Sequence, residues 1–275
     1  MFERILVPTD GSGPANAALE YAGEIAAAED VTVQILHVVD PDVDPEAADE
    51  RLADSRDWVS DVPIIDEVRT GEPADAILEY ARDNDVDAIV MGTRGRRGVG
   101  RLVLGSVTET VVRDAAVPVL VVRGAAEVRR RYPFETIVVP TDGSAHADAA
   151  LERAQAIATH HDATVHLLSV VDVTPAGIDD RSDLRLNRLE RFANEVVDEG
   201  EQLLENAGVD VERSVRYGST HRQIRTHVDE TDADLLVIGT HGRSGLDRLL
   251  LGSITERLLR TATTPVLTVQ AASEN

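Results

Sequence analysis

Two tandem α/β domains, each a parallel sheet covered by helices on both faces, are what this sequence predicts. Three observations carry the prediction. Short Val- and Ile-rich runs alternate with stretches of helical periodicity, the order that βαβ units require. The whole pattern then runs a second time. Apolar residues are 43% of the 275 and mostly Val, Leu, Ala and Ile, with 3% aromatics. That mix suits strands buried on both sides.

The repeat is legible residue by residue. "ILVPTDGS" at 5–12 returns as "IVVPTDGS" at 137–144, and "VRTGEPADAI" as "VRYGSTHRQI". "DAIVMGTRG" returns as "DLLVIGTHG", "RLVLGSVTE" as "RLLLGSITE" and "AAVPVLVV" as "ATTPVLTV", in the same order. The domains are expected at 1–123 and 134–270, with "RGAAEVRRRYPFE" joining them.

In the first copy the strands fall near 3–8, 31–38, 64–69, 87–91 and 118–122. Between the first two, a helix over 16–28 places Leu19, Ala22, Ile25 and Ala26 on one face. The acidic stretch 41–62 predicts a truncated helix or a loop with a turn or two. Pro73, just after Gly71, marks a first helical position. "SVTE" and "SITE" read as capping boxes that pair Ser106 with Glu109 and Ser253 with Glu256. The second copy departs in one place: Asp10 and Asp142 lie 132 apart, Gly71 and Gly218 lie 147 apart. The extra residues predict a long amphipathic helix on Leu189, Phe192, Ala193, Val196, Leu203, Leu204 and Ala207.

Charge narrows the function. Asp and Glu total 50 against 27 basic residues, all of them Arg, for a net charge of −23. Such a surface repels nucleic acid and anionic membranes. No run approaches the length of a membrane span. The absence of lysine suits a salt-rich cytoplasm, where screening tames self-repulsion, so a halophilic source and a cytoplasmic location are expected. Without Cys or Lys there is no thiolate chemistry, no Cys-based metal site and no GxxxxGK[ST] loop. No GxSxG or HExxH occurs either. His160 and His161 close a helix and His37 and His166 do not share a repeat position, so no metal site is expected.

Against the acidic background, "GTRGRRGVGRLVLGS" at 92–106 sets Arg94, Arg96, Arg97 and Arg101 among glycines. Gly92, Gly95, Gly98 and Gly105 let backbone amides approach an anion, and a helix opening at Gly105-Ser106 favours negative charge. The counterpart carries His241, Arg243 and Arg248, with Asp247 where the first has Gly100. Both segments follow a strand, as does "PTDGS", and ligands of open parallel sheets bind beyond such strand ends. Asp10 and Asp142 suit two roles, closing an Asx turn or accepting hydrogen bonds from a ligand's amine or ribose hydroxyls.

These motifs resemble those of the universal stress proteins, here as two domains in one chain. The resemblance rests on G-x2-G-x9-G-[ST], met by Gly92, Gly95 and Gly105-Ser106 and again by Gly239, Gly242 and Gly252-Ser253. It implies doubly wound, Rossmann-like sheets of strand order 3-2-1-4-5 with an adenine-nucleotide pocket at the ends of strands one, two and four. ATP, with or without Mg2+, is the implied ligand. Asp10 and Val38, with Thr9, would hold one adenosine, and Asp142 and Val170, with Thr141, the other. The glycine segments with Ser106-Val107-Thr108 and Ser253-Ile254-Thr255 would hold the phosphates. The halves would pair through their last strands as family dimers do, with a homodimer of the whole chain left open. Three functions stay in view: a nucleotide-binding stress module, an interaction scaffold with relic loops, and a slow ATP hydrolase. The intact glycine pattern favours the first, and the lack of lysine and of an acid–base constellation counts against the third.

Overall fold

The computed structural model describes residues 2–41, 45–59, 62–95, 103–125, 127–173, 181–242 and 250–271. The first half runs β1 (Arg4–Thr9), α1 (Gly13–Glu29), β2 (Thr32–Val39), α2 (Pro45–Arg56), β3 (Ile64–Thr70), α3 (Pro73–Asp83), β4 (Ala88–Gly92), α4 (Ser106–Asp114) and β5 (Val119–Val122). The second repeats it as β6 (Thr136–Pro140), α5 (Ala145–His161), β7 (Thr164–Val171), α6 (Arg181–Asn206), β8 (Val211–Tyr217), α7 (Thr220–Glu230), β9 (Leu235–Gly239), α8 (Ser253–Thr261) and β10 (Val266–Val269).

The ten strands among the described residues share one sheet, ordered β3-β2-β1-β4-β5-β10-β9-β6-β7-β8. Each half is parallel throughout and doubly wound. The halves meet where β5 and β10 pair antiparallel, Val121 opposite Val266 and Val119 opposite Thr268. Joining the last strands satisfies backbone groups that each half alone would expose as a sheet edge.

Alternation along the strands sends side chains to two layers. Ile5 and Val7 enter the layer under α1, α2, α5 and α6, whereas Leu6 enters the one under α3, α4, α7 and α8. At the seam Leu120 and Leu267 face the first layer and Val121 and Val266 the second, so both layers run across the two halves. The predicted stripe of α1 is buried, each of Leu19, Ala22, Ile25 and Ala26 at 1% exposure or less. The Ser12 hydroxyl caps α1 by accepting from Ala15 N, and Asp30 closes it in the left-handed conformation. Ser144 and Asp162 do the same for α5.

The acidic stretch forms a truncated helix, the 12-residue α2, against 26 residues in α6. Leu52 and Val59 still seal its end of the core. Two positions assigned to the α6 stripe fall outside it, Leu189 and Leu203 each being 37% exposed. The buried line runs through Ala193, Val196, Val197, Gly200 and Leu204. A Cβ on Gly200 would come 2.7 Å from Leu167, so a glycine sets how closely α6 lies on β7.

The capping boxes do not form. Gly105 and Gly252 occupy the N-cap positions with no side-chain cap bond, and Ser106 and Ser253 are already helical. The helix starts are fixed from the sheet instead. Thr108 Oγ1 donates to Gly92 O at 2.9 Å and Thr255 Oγ1 to Gly239 O at 2.8 Å, tying each helix to the last carbonyl of the preceding strand.

The connecting segment is held from both sides. Arg130 pairs with Glu20 at 2.9 Å, and Arg131 with Asp232 at 2.7 Å. The buried Tyr21 hydroxyl donates to Arg131 O at 2.8 Å. No helix among the described residues is long and apolar enough to cross a membrane.

Candidate functional site

In both halves the loop after the first strand folds on its own side chains. Asp10 Oδ1 accepts from Ser12 N at 3.0 Å and Thr9 Oγ1 from Gly11 N at 3.1 Å. Asp142 and Thr141 repeat these bonds at 3.1 and 3.3 Å. Gly11 and Gly143, at φ 70° and 69°, supply the left-handed residue the turn needs. The Asx-turn role of the two aspartates is therefore real. It occupies one carboxylate oxygen.

The other oxygen meets the glycine segment. A Cβ added to Gly95 would lie 2.4 Å from Asp10 Oδ2, and one on Gly242 2.8 Å from Asp142 Oδ2. The two motifs, far apart in sequence, thus form opposite sides of one contact in each half. Gly92 and Gly239 have a different reason to be glycine. A Cβ there would come 2.6 Å from the Pro14 carbonyl or 2.7 Å from that of His146, because the first turn of α1 or α5 crosses the end of β4 or β9. Expected from the sequence to let amides approach an anion, these two glycines are also required by the packing of the fold.

Above each contact lies a cavity, of about 750 Å³ in the first half and about 310 Å³ in the second. Every described residue that the sequence assigns to a site lines one of them. Thr9, Asp10, Val38, Gly92, Gly95, Gly105, Ser106, Val107 and Thr108 line the first. Thr141, Asp142, Val170, Gly239, Gly242, Gly252, Ser253, Ile254 and Thr255 line the second. The walls that sequence reasoning missed are apolar: Leu36, Ile77 and Met91 in one, Leu168, Ile224 and Ile238 in the other. A signal for them existed, since Ile77 and Ile224 end the repeated stretch that begins "VR". The first cavity also reaches Asp40 beyond β2 and Glu72 before α3.

The polar side of each cavity is the start of α4 or α8. Amides in a first helical turn have no intrahelical acceptor and carry the positive end of the helix dipole. The Thr108 and Thr255 hydroxyl protons are committed to strand carbonyls. These threonines position the helix start rather than offer a side-chain donor. Among the segment's cations Arg94 lines the first cavity. Arg96, Arg97, Gly98, Gly100 and Arg101 lie outside the described residues, as do Arg243, Asp247 and Arg248. His241 takes the place of Arg94 in the second half. Its Nε2 donates to Leu250 O at 2.7 Å, across the two ends of its segment. Beside it, at 5.0 Å between ring centroids, His146 Nδ1 accepts from Ala271 N at 3.0 Å.

Known proteins share this arrangement. The model of the universal stress protein family matches residues 1–123 and again 133–270. A universal stress protein of Mycolicibacterium smegmatis is 26% identical over 307 aligned positions, covering 97% of this chain and 96% of its own. One from Methanocaldococcus jannaschii is 35% identical over 140 residues, half of this chain and 82% of its own. The crystal structure of a universal stress protein from Archaeoglobus fulgidus shares the fold over 98% of both chains, with a TM-score of 0.71 at 23% identity. Two matches in succession account for nearly the whole chain: the chain belongs to the universal stress protein family, with two of its domains in tandem.

Proposed function

We propose that at least one of the two cavities binds an adenine nucleotide, ATP with Mg2+ being the leading candidate, and that the chain is a non-catalytic stress-response module. The observation that carries this is the pairing, in both halves, of an apolar floor with two polar ends of opposite character. At one end stands the carboxylate of Asp10 or Asp142, an acceptor for ribose hydroxyls. At the other stands a helix N-terminus, suited to phosphate. Leu36, Val38, Ile77 and Met91 would cover the purine of the first site, and the amides of Ser106, Val107 and Thr108 would receive its phosphates. Both volumes fall in the range of small-molecule sites, of order 300–1,000 Å³. The chain has no lysine, so neither cavity offers the phosphate-gripping lysine of a P-loop NTPase. The lysine-free acidic surface fits a salt-rich cytoplasm as its setting.

The test is calorimetry on the full chain in molar salt with Mg2+ and ATP, with mass analysis of any nucleotide that co-purifies. Binding at one or two sites is expected. No heat and no thermal shift at millimolar ATP would overturn the reading.

A further inference from the structure

At the junction of the halves the fold assembles a cluster that neither half contains. Glu29 ends α1, and His160 and His161 end α5. His160 Nε2 lies 2.7 Å from Glu29 Oε2, between residues 131 apart in sequence. Tyr132, from the connecting segment, donates its hydroxyl to the other carboxylate oxygen, Glu29 Oε1, at 2.6 Å. The same hydroxyl stands 3.4 Å from His161 Nε2. One donor atom from each of Glu29, His160 and His161 can be chosen so that all lie within 4.8 Å of one another.

We propose that Glu29, His160 and His161 bind one transition-metal ion of the Zn2+ class, which would link the two halves, with Tyr132 orienting the carboxylate. Two imidazoles and a carboxylate are a donor set for Zn2+ and its neighbours, whereas Mg2+ and Ca2+ call for oxygen alone. Bonds of about 2.1 Å in tetrahedral geometry place donors about 3.4 Å apart. Binding an ion therefore has to open the His160–Glu29 contact beyond its 2.7 Å. His160 can make that move, because its side chain is 44% exposed, whereas the Glu29 side chain is 11% exposed and held. The His161 ring is set edge-on against Tyr132 and Phe134, with centroids 5.1 and 5.4 Å away. A metal ligand whose second oxygen is hydrogen-bonded by a neighbouring hydroxyl is the usual second layer of such sites. With three protein ligands, the fourth position opens to solvent on the His160 side.

The plainer alternative is that the cluster is an ion pair at a helix C-terminus, where histidine is favoured. Metal titration separates the two. The chelator-stripped full chain is titrated with Zn2+ in molar NaCl and a large excess of Mg2+, which occupies the scattered surface carboxylates. One Zn2+ per chain is expected, with a rise in unfolding temperature. Glu29→Gln and His160→Ala should each weaken binding about tenfold or more, and Tyr132→Phe should weaken it without abolishing it. His221→Ala, at a histidine outside the cluster, should change nothing. His160→Ala serves as the primary variant because an exposed side chain can be removed with the fold intact, checked by its metal-free unfolding temperature. Co2+ in place of Zn2+ should give a visible absorption band that His160→Ala loses. Zn2+ binding that Mg2+ displaces, or that Glu29→Gln and His160→Ala leave unchanged, overturns the proposal.

Discussion

Lowering the pH from 7 to 4 should cost this protein stability through one buried histidine. His227, on α7, is 6% exposed, and among the described residues neither ring nitrogen has a hydrogen-bond partner. Burial, then the charge of Arg216 and the neighbouring His166, pushes its pKa down from 6.5 to about 4, with Glu230 opposing. The unfolded chain takes up this proton near pH 6.5, while the folded chain resists until about 4. Between those values the unfolded state binds more protons, so stability falls as pH falls. The contribution is complete above pH 6.5, is lost progressively down to about 4, and changes no further below. A gap of about 2.5 pH units corresponds to about 3 kcal/mol. The clean comparison is His227→Tyr. The first half already carries Tyr80 at this repeat position, buried under Arg69 at 4.7 Å, and Arg216 stands where Arg69 does. Denaturant unfolding of both chains at fixed salt, from pH 7 to pH 4, subtracts the many carboxylates common to both. The wild type should lose about 2–3 kcal/mol more than the variant. Parallel curves would refute the argument that His227 is neutral because it is buried.

Four further outcomes follow from the two cavities. Gly92→Ala drives a Cβ to 2.6 Å from Pro14 backbone, which cannot yield locally, so it should destabilise by about 2 kcal/mol or more. Gly95→Ala meets only the tip of the Asp10 side chain, so stability should hold within about 1 kcal/mol while nucleotide affinity of the first site falls; equal stabilities for the two variants would count against this division of roles. Thr108→Val removes the bond to Gly92 O and should cost about 1–2 kcal/mol in chemical unfolding. It should also lower affinity through a displaced helix start, and unchanged unfolding would show that α4 is positioned by something else. Finally, raising salt should weaken nucleotide binding more steeply in Gly242→Val, which isolates the arginine-rich first site, than in Gly95→Val. Each exposed charge contributes about 0.5 kcal/mol or less, and equal salt slopes would detach the arginines from the bound phosphate.

The sequence by itself determined the local grammar and its repetition. Alternating apolar runs specify strands and helices because the periods of 2 and 3.6 read directly from side-chain order. Writing the same grammar twice specified two like sheets. "PTDGS" carried its own turn, since Asp10 and Gly11 act within two residues of each other. Tertiary structure decided whatever depends on distant partners. The apparent capping boxes gave way because Thr108 and Thr255 reach strand carbonyls sixteen residues back, an option no local pattern displays. Gly92 owes its identity to Pro14, and Gly95 to Asp10, each across most of a domain. His227 reads as an ordinary polar residue of α7 until α7 is laid on the sheet. Glu29 and His160 are joined only because β5 and β10, four residues each, close two sheets into one. Short-range patterns fix which face of an element is apolar; which polar groups meet beneath or between those faces is set by packing, and these sites are made there.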